Sequence, residues 1–205
     1  MGKIDFKKEY KELYNPSSNK VSFVEVPKMK YLSIDGEGDP NTAQEYKDSI
    51  EALMGVSYKT KFIMKKEHGQ DYVVMPLEGL WWADDMENFS IEDKSDWKWK
   101  SLVMQPHFVK KEHISQAKEE IALKKDLPSL DKIEFIEIEE GLSAQILHIG
   151  PFSKEGPTVK RIHDAIQEKN YKFNGLHHEI YLSDIRRAKP EKLRTIIRQP
   201  VIDSS

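Results

Sequence analysis

The sequence predicts an α+β fold that is made of two similar units in tandem. Segments with the alternating pattern of β-strands dominate, and only a few segments have helical spacing. The order strand, helix, strand, strand occurs once in each half of the chain. Two such units can pair their sheets around a pseudo-two-fold axis and leave a concave central cleft. We therefore expect a tandem repeat with a cleft that suits a small ligand.

The first predicted repeat covers residues 21–104 and follows an N-terminal arm of residues 1–20. Its helix begins after the turn Asp39-Pro40-Asn41, where the chain can cap a helix. Its predicted elements are a strand from Val21 to Gly38, a helix up to Gly55, strands over 59–66 and 72–82, a long acidic loop over 83–95, and a strand over 96–104.

The second predicted repeat covers residues 131–202 and is joined to the first by a helical segment over 107–125. The helical segment ends at Leu127-Pro128. The predicted elements of this repeat are strands over 132–139 and 142–149, a helix over 156–169, and strands over 177–182 and 193–201. Residues 21–205 are therefore expected to form a single domain.

The composition excludes several classes of function. The 205 residues include 32 Lys and Arg against 35 Asp and Glu, a net charge of −3, so we expect no nucleic-acid partner. There are no cysteines, which excludes a disulfide framework and a thiolate nucleophile. The seven histidines form no cluster with metal-ligand spacing, and no glycine-rich phosphate loop occurs. We predict neither a metal site nor a cofactor.

The hydropathy of the chain predicts a cytoplasmic protein. The N-terminus is polar and has no apolar core of a signal peptide. No apolar stretch approaches the roughly 18 residues that a membrane span needs. We therefore expect no membrane partner, and the sequence gives no prediction for the oligomeric state.

The strand over 177–182 is the first candidate site. Side chains alternate across a strand, so His177, Glu179 and Tyr181 share one face. If Ile180 and Leu182 pack beneath the helices, the other face looks into the cleft. A carboxylate beside a phenol can act as a general base with a proton donor, or it can receive a polar or cationic ligand. An exposed polar sheet face is the alternative.

The segment 76–82 is the second candidate site. A regular strand would place Glu78, Leu80 and Trp82 on one face and Trp81 on the other. A bulge at Gly79 would change this register.

Tryptophans are concentrated near this segment. Trp97 and Trp99 are two residues apart and share a face, so all four tryptophans of the chain lie within one short span. For any single ring, core packing is the ordinary role. Together, the rings and Glu78 favour a pocket that binds a flat, partly polar molecule by stacking and cation–π contact.

Several motifs resemble the GyrI-like small-molecule-binding domain. They are QILHIGPF at 145–152, HEIYLSD at 178–184 and PEKLRTIIR at 190–198. MPLEGLWW at 75–82 and WKW at 97–99 resemble the stand-alone bacterial branch of that family. The resemblance covers nearly the whole chain from about residue 21. It implies a tandem pair of strand-helix-strand-strand units of the SHS2 type, which agrees with the predicted elements.

The resemblance also implies a function. In some members an acidic residue in an aromatic pocket receives cationic, lipophilic drugs, and other members are described as gyrase inhibitors. Stand-alone members resemble cyclopropanoid cyclopropyl hydrolases, which detoxify DNA-alkylating natural products of the yatakemycin and duocarmycin type. A non-catalytic drug-binding protein and a gyrase inhibitor remain the alternatives.

The hydrolase branch implies roles for particular residues. Glu179, Tyr181 and Glu78 are the expected catalytic residues, and either glutamate can be the base. The expected ligand-binding residues are His177, Trp81, Trp82, Trp97 and Trp99. The expected partner is a planar aromatic or cationic small molecule.

Overall fold

The structure is a computed structural model that describes residues 2–83 and 96–204. Of the predicted acidic loop, residues 84–95 lie outside the described residues. The described residues form the helices α1 (Phe6–Glu9), α2 (Lys11–Tyr14), α3 (Gln44–His68), α4 (Lys111–Ala122) and α5 (Gly156–Glu168). They form the strands β1 (Ser22–Val26), β2 (Met29–Glu37), β3 (Leu77–Trp82), β4 (Lys98–Gln105), β5 (Glu134–Ile138), β6 (Gly141–Ile149), β7 (Tyr171–Phe173), β8 (His177–Tyr181) and β9 (Arg194–Asp203).

The chain divides into two compact units. The first unit contains Met1–Phe6 and Met29–Ile138, and the second contains Lys7–Lys28 and Glu139–Ser205. β1 pairs with β6 and belongs to the second unit, and α4 packs against α3 within the first unit. Pairing between strands that are distant in sequence leaves no local pattern, so the sequence alone does not predict which unit β1 belongs to.

Each unit contains the predicted strand-helix-strand-strand repeat. In the first unit it is β2, α3, β3 and β4, with the antiparallel sheet order β3-β4-β2-β5. In the second unit it is β6, α5, β8 and β9, with the antiparallel order β1-β6-β9-β8, and β7 also pairs with β9. The predicted α+β fold with a tandem repeat is confirmed.

The long helix α3 replaces a predicted strand. It runs through Gly55, where the helix was expected to end, and through 59–66, which were predicted to be extended. Alternating lysines in that segment imitate a strand, but the buried residues recur at helical spacing, as Thr60, Ile63 and Met64 show. The helix ends at Gly69, whose φ of 66° favours glycine.

The core of the second unit lies between α5 and the sheet. Ile162 and Ile166 of α5 pack against residues of β6 and β9, among them Ile146 and Ile197. Ile146 and Ile197 are directly opposite each other in the antiparallel register, so they define the face of the sheet that α5 covers.

No helix within residues 2–83 and 96–204 has the length and apolar composition that a membrane span requires.

Candidate functional site

The side chain of Glu179 lies on the face of the sheet that α5 covers. Glu179 of β8 is directly opposite Ile197 of β9, which belongs to the core beneath α5. The sequence argument that Glu179 faces a cleft held only if Ile180 packs beneath the helices, and in the structure α5 covers the face that carries Glu179. Alternation along a strand predicts which residues share a face, but it does not predict which face a helix covers.

Glu179 is held by two hydrogen bonds from its own strand. The Tyr181 hydroxyl donates to Oε2 over 2.8 Å, and Nε2 of His177 lies 3.1 Å from Oε1. The three side chains therefore share one face, as the sequence predicted. The carboxylate side chain is 15% exposed, so it is partly desolvated but still reachable by water.

Phe152 packs beside one donor, and His163 lies within the electrostatic reach of the other. The ring of Phe152 packs edge-on against the ring of Tyr181, with the centroids 5.7 Å apart, and Phe152 itself is partly exposed. On α5, the pKa of His163 is lowered, first by burial and then by the charge of His177. The cluster thus combines an oriented carboxylate, a phenol and an imidazole with an aromatic ring beside them.

The opposite face of β8 carries a second, fully buried polar network. Nδ1 of His178 lies 2.9 Å from Oε1 of Glu140, and Nη1 of Arg198 donates to Oε2 over 3.1 Å. Nε and Nη2 of Arg198 donate to the side-chain oxygen of Gln145, and Nη2 also donates to the carbonyl of Leu13. The segment that contains Leu13 therefore contacts this face of the sheet.

The pKa of Glu140 reflects this network. Burial acts to raise the pKa, but the charges and hydrogen bonds of His178 and Arg198 outweigh it and lower the pKa to about 2. Neither Glu140 nor Arg198 was among the candidate residues that the sequence predicted. The sequence carries one signal for Arg198, since it lies between Ile196-Ile197 and Pro200-Val201 within a predicted strand.

Glu78 of the first unit lies on a regular strand. β3 pairs with β4 without interruption, so Gly79 is not a bulge, and Glu78 shares a face with Leu80 and Trp82. The side chain of Glu78 is fully buried. Trp82 is partly exposed.

Trp81 and Trp99 lie on the other face of that sheet, beneath α3. They are directly opposite each other, and both rings contact Tyr46 of α3, with centroids 5.8 and 5.0 Å away. Trp99 is fully buried, and a Cβ at Gly36 would lie 2.2 Å from its ring. Trp99 is therefore a core residue, which corrects the expectation that it contacts a ligand. Trp97 contacts Trp81 at 5.5 Å and keeps part of its surface exposed.

Among the residues that the structure describes, no group of three or more His, Asp or Glu side chains is close enough to hold a metal ion. On β8, the structure places a carboxylate beside two hydrogen-bond donors. The predicted cleft with both glutamates and all the tryptophans stays a prediction.

Comparisons with known proteins place the chain in a family. The sequence pattern of the GyrI-like small molecule binding domain matches residues 19–202, which is most of the chain. The chain belongs to the GyrI-like family and is a small-molecule-binding domain. A search of the curated proteins finds no significant match.

Solved structures with the same fold include proteins from Listeria innocua. An uncharacterized conserved protein from that organism has a TM-score of 0.90 at 39% identity, over 98% of this chain and 100% of that one. A hydrolase from the same organism has a TM-score of 0.88 at 39% identity, with the same coverage. The C-terminal domain of EcmrR has a TM-score of 0.55 at 13% identity, over 90% of this chain and 98% of that one, and it shares the fold alone.

Proposed function

We propose that the protein binds planar, lipophilic small molecules and hydrolyses the cyclopropane ring of DNA-alkylating natural products of the yatakemycin and duocarmycin type. The observation that carries this proposal is the partly exposed carboxylate of Glu179, oriented by Tyr181 and His177. A 39% identical protein that is described as a hydrolase supports a hydrolytic role. The biological role would be detoxification in the cytoplasm.

The reaction needs one activated water. In these compounds the cyclopropane is conjugated to a dienone, so opening the ring produces an aromatic phenol. The water oxygen forms a bond to the less hindered cyclopropyl carbon, and the carbon–carbon bond of the ring breaks. Its electron pair moves through the ring system to the dienone oxygen, which takes up a proton. The product is the substrate plus one water, and no oxidant or reductant is consumed.

Glu179 is the general base in this proposal. Its carboxylate accepts a proton from the water, while Tyr181 fixes the orientation of the carboxylate through the 2.8 Å hydrogen bond. Of the two glutamates that the sequence left open, Glu179 is favoured because Glu78 is fully buried, whereas Glu179 keeps exposed surface. His177 would hold the second carboxylate oxygen.

Binding of the planar ligand would come from aromatic rings. Phe152 contacts Tyr181 and has an exposed fraction of 39%, so its ring is available for stacking next to Glu179. In the first unit, Trp82 and Trp97 keep exposed surface and remain proposed ligand contacts, while Trp81 and Trp99 would support them from the core.

The decisive experiment compares Glu179→Gln with the unaltered protein. A cyclopropane-bearing alkylator is incubated with each, and the water adduct is followed by mass spectrometry. Loss of the general base should slow hydrolysis by about 10²- to 10⁴-fold, while ligand binding, measured by quenching of tryptophan fluorescence, is retained. Glu168→Gln, an exposed glutamate on α5, is the matched control and should hydrolyse at the normal rate.

Two results would overturn parts of this proposal. Full hydrolysis by Glu179→Gln would remove Glu179 from the mechanism. Binding by the unaltered protein without any change in ligand mass would replace hydrolysis with the second candidate function, a drug-binding protein without chemistry. That candidate is favoured by the same carboxylate beside Phe152, which could receive a lipophilic cation.

A further inference from the structure

The turn between β7 and β8 contains the sequence Asn174-Gly175, which has no part in the proposed hydrolysis. Both residues are exposed, and they lie between the end of β7 at Phe173 and the start of β8 at His177. No other asparagine of the chain is followed by a glycine. The side-chain amide in such a pair is open to attack, because glycine has no side chain to shield the peptide nitrogen that follows the asparagine.

The peptide bond between Asn174 and Gly175 lies between two hydrogen bonds and takes part in neither. The N–H of Asn174 donates to the carbonyl of Pro200 over 2.9 Å, and the carbonyl of Gly175 accepts from Nε2 of Gln199 over 3.0 Å. The Asn174 carbonyl, the Asn174 side chain and the Gly175 N–H make no hydrogen bond to any residue that the structure describes. Pro200 has no N–H to offer the Asn174 carbonyl. The peptide bond can therefore rotate while the two hydrogen bonds hold the turn in place.

The backbone of this turn requires glycine at position 175. The φ angle of Gly175 is 143°, which residues with a side chain rarely adopt. A Cβ at this position would also lie 3.1 Å from Cγ of Pro200. A side chain that shields the peptide nitrogen therefore does not fit the turn.

The pair Asp35-Gly36 is held in the opposite way. An aspartate before a glycine can close the same five-membered ring, but both residues lie within β2 and pair with Lys100 and Trp99 of β4. Nζ of Lys100 is 2.7 Å from the carboxylate of Asp35, and the ring of Trp99 lies against Gly36. Ring closure at Asp35 would have to break this strand pairing, whereas ring closure at Asn174 breaks no described hydrogen bond.

We propose that Asn174 is a site of spontaneous deamidation. The Gly175 nitrogen loses its proton to solvent and forms a bond to Cγ of Asn174, and the carbon–nitrogen bond of the side-chain amide breaks and releases ammonia. Water then opens the five-membered succinimide at either carbonyl, which gives aspartate or isoaspartate. The net reaction consumes one water and releases one ammonia, with no oxidant or reductant.

The modification changes both the charge and the main chain of the turn that leads into β8. It adds one negative charge three residues before His177, in a chain whose net charge is already −3. Isoaspartate also inserts a methylene group into the main chain between the Pro200 and Gln199 hydrogen bonds. Deamidation would therefore alter the approach to the strand that carries Glu179.

Incubation of the full chain at mildly alkaline pH, where the Gly175 nitrogen loses its proton more readily, tests this proposal. Trypsin cuts after Lys172 and Arg186, and Asn174 is the only amide side chain in the peptide 173–186. We expect this peptide to gain about 1 Da with time and to become a substrate of isoaspartyl methyltransferase. Because exposed turns open with little free energy, the rate in the folded protein should be within about tenfold of that in the synthetic peptide 173–186.

Two variants and one internal comparison locate the site. Asn174→Gln should stop the gain of mass, since a glutamine would have to close a larger and less favourable ring. Asn41→Gln changes an exposed asparagine in the first unit and should leave the gain of mass at its normal rate. Asp35 should form no isoaspartate while the protein is folded, because its strand pairing persists.

The outcomes separate a reactive turn from a reactive sequence. An unchanged mass of peptide 173–186 in the folded protein, while the synthetic peptide gains mass, would overturn the proposal, because the turn would then hold the peptide bond. Formation of isoaspartate at residues 35 and 174 at equal rates would overturn it as well, since strand pairing would give no protection. The measurement uses no ligand, so its result is independent of the hydrolase proposal.

Discussion

The two faces of β8 each carry a contact between a histidine and a glutamate, and the contacts differ in burial and in charge. On the face beneath α5, Glu179 accepts hydrogen bonds from Tyr181 and His177 and stays partly exposed. On the opposite face, Glu140 is enclosed by His178 and Arg198, and its side chain is 6% exposed.

This difference separates a structural carboxylate from one that can do chemistry. A pKa of about 2 makes Glu140 a weak base at neutral pH, and its side chain is enclosed by His178 and Arg198. Glu179 is oriented by a phenol and an imidazole and remains reachable by water. A glutamate that contacts one face of β8 therefore stabilises the fold, whereas the glutamate on the other face is the proposed base.

The largest expected effect comes from breaking the buried network. Arg198→Ala leaves the carboxylate of Glu140 buried with only part of its charge compensated, and it removes the hydrogen bond to the Leu13 carbonyl. Loss of one partner of a buried ion pair costs about 3–5 kcal/mol. We expect a decrease of this size in the free energy of unfolding, measured by urea denaturation.

The control for this variant is Arg194→Ala. Arg194 is on the same strand and exposed, so its removal should change the free energy of unfolding by only about 0.5 kcal/mol or less. Limited proteolysis adds a second measurement, because the segment around Leu13 should be cut faster in Arg198→Ala. If Arg198→Ala and Arg194→Ala lower the free energy of unfolding equally, the buried hydrogen bonds of Arg198 add no stability beyond that of an exposed arginine.

The next largest effect is the dependence of the free energy of unfolding on pH, which we assign to Glu140. Its pKa is about 2 in the folded protein and near the ordinary value of 4.5 in the unfolded chain. A lowered folded-state pKa stabilises the protein above pH 4.5, and this stabilisation is lost as the pH falls from about 4.5 to about 2. The free energy of unfolding should decrease over this window, and Glu140→Gln should reduce the slope.

Asp184 provides the comparison at the surface. The pKa of Asp184 is also lowered to about 2, mainly by hydrogen bonds from Arg186, but this pair is solvent-exposed. Its contribution should be screened by salt, whereas that of Glu140 should persist at about 500 mM NaCl. Two results would contradict the assignment of this pH dependence to Glu140. One is an unchanged dependence of the free energy of unfolding on pH in Glu140→Gln, and the other is a dependence that disappears in salt.

Much of the fold could be predicted from the sequence because it depends on local pattern. Alternation located β6, β8 and β9 to within about two residues, and helical spacing located α5. The same pattern failed for α3, because lysines at alternate positions along residues 59–66 imitate a strand. Pairing of β1 with β6 joins strands more than a hundred residues apart, and no local signal predicts it.

The candidate site was predictable in part for the same reason. That His177, Glu179 and Tyr181 share a face follows from the period of a strand. Which face α5 covers depends on tertiary packing, so the direction of Glu179 could be stated from the sequence only as a condition. The sequence predicted Trp99 as a ligand contact because aromatic composition alone does not distinguish a pocket from a core. The close contact of its ring with Gly36 indicates core packing.

The smallest expected effect concerns the hydrogen bond between Tyr181 and Glu179. Tyr181→Phe removes the hydroxyl but keeps the ring that packs against Phe152. A hydrogen bond to a charged group contributes about 1.5–3 kcal/mol when buried, and partial exposure should reduce this to about 1 kcal/mol. We expect a loss of about that size in the free energy of unfolding.

A double-mutant cycle with Glu179→Gln isolates the pair. The two single variants and the double variant are compared by urea denaturation, and the coupling energy should be near 1 kcal/mol. A coupling energy of zero would mean that Tyr181 does not hold the carboxylate, and the two faces of β8 would then differ in burial only. A coupling energy as large as the loss expected for Arg198→Ala would make Glu179 a structural residue as well. Coupling of that strength is found for enclosed charges and not for a carboxylate that water can reach.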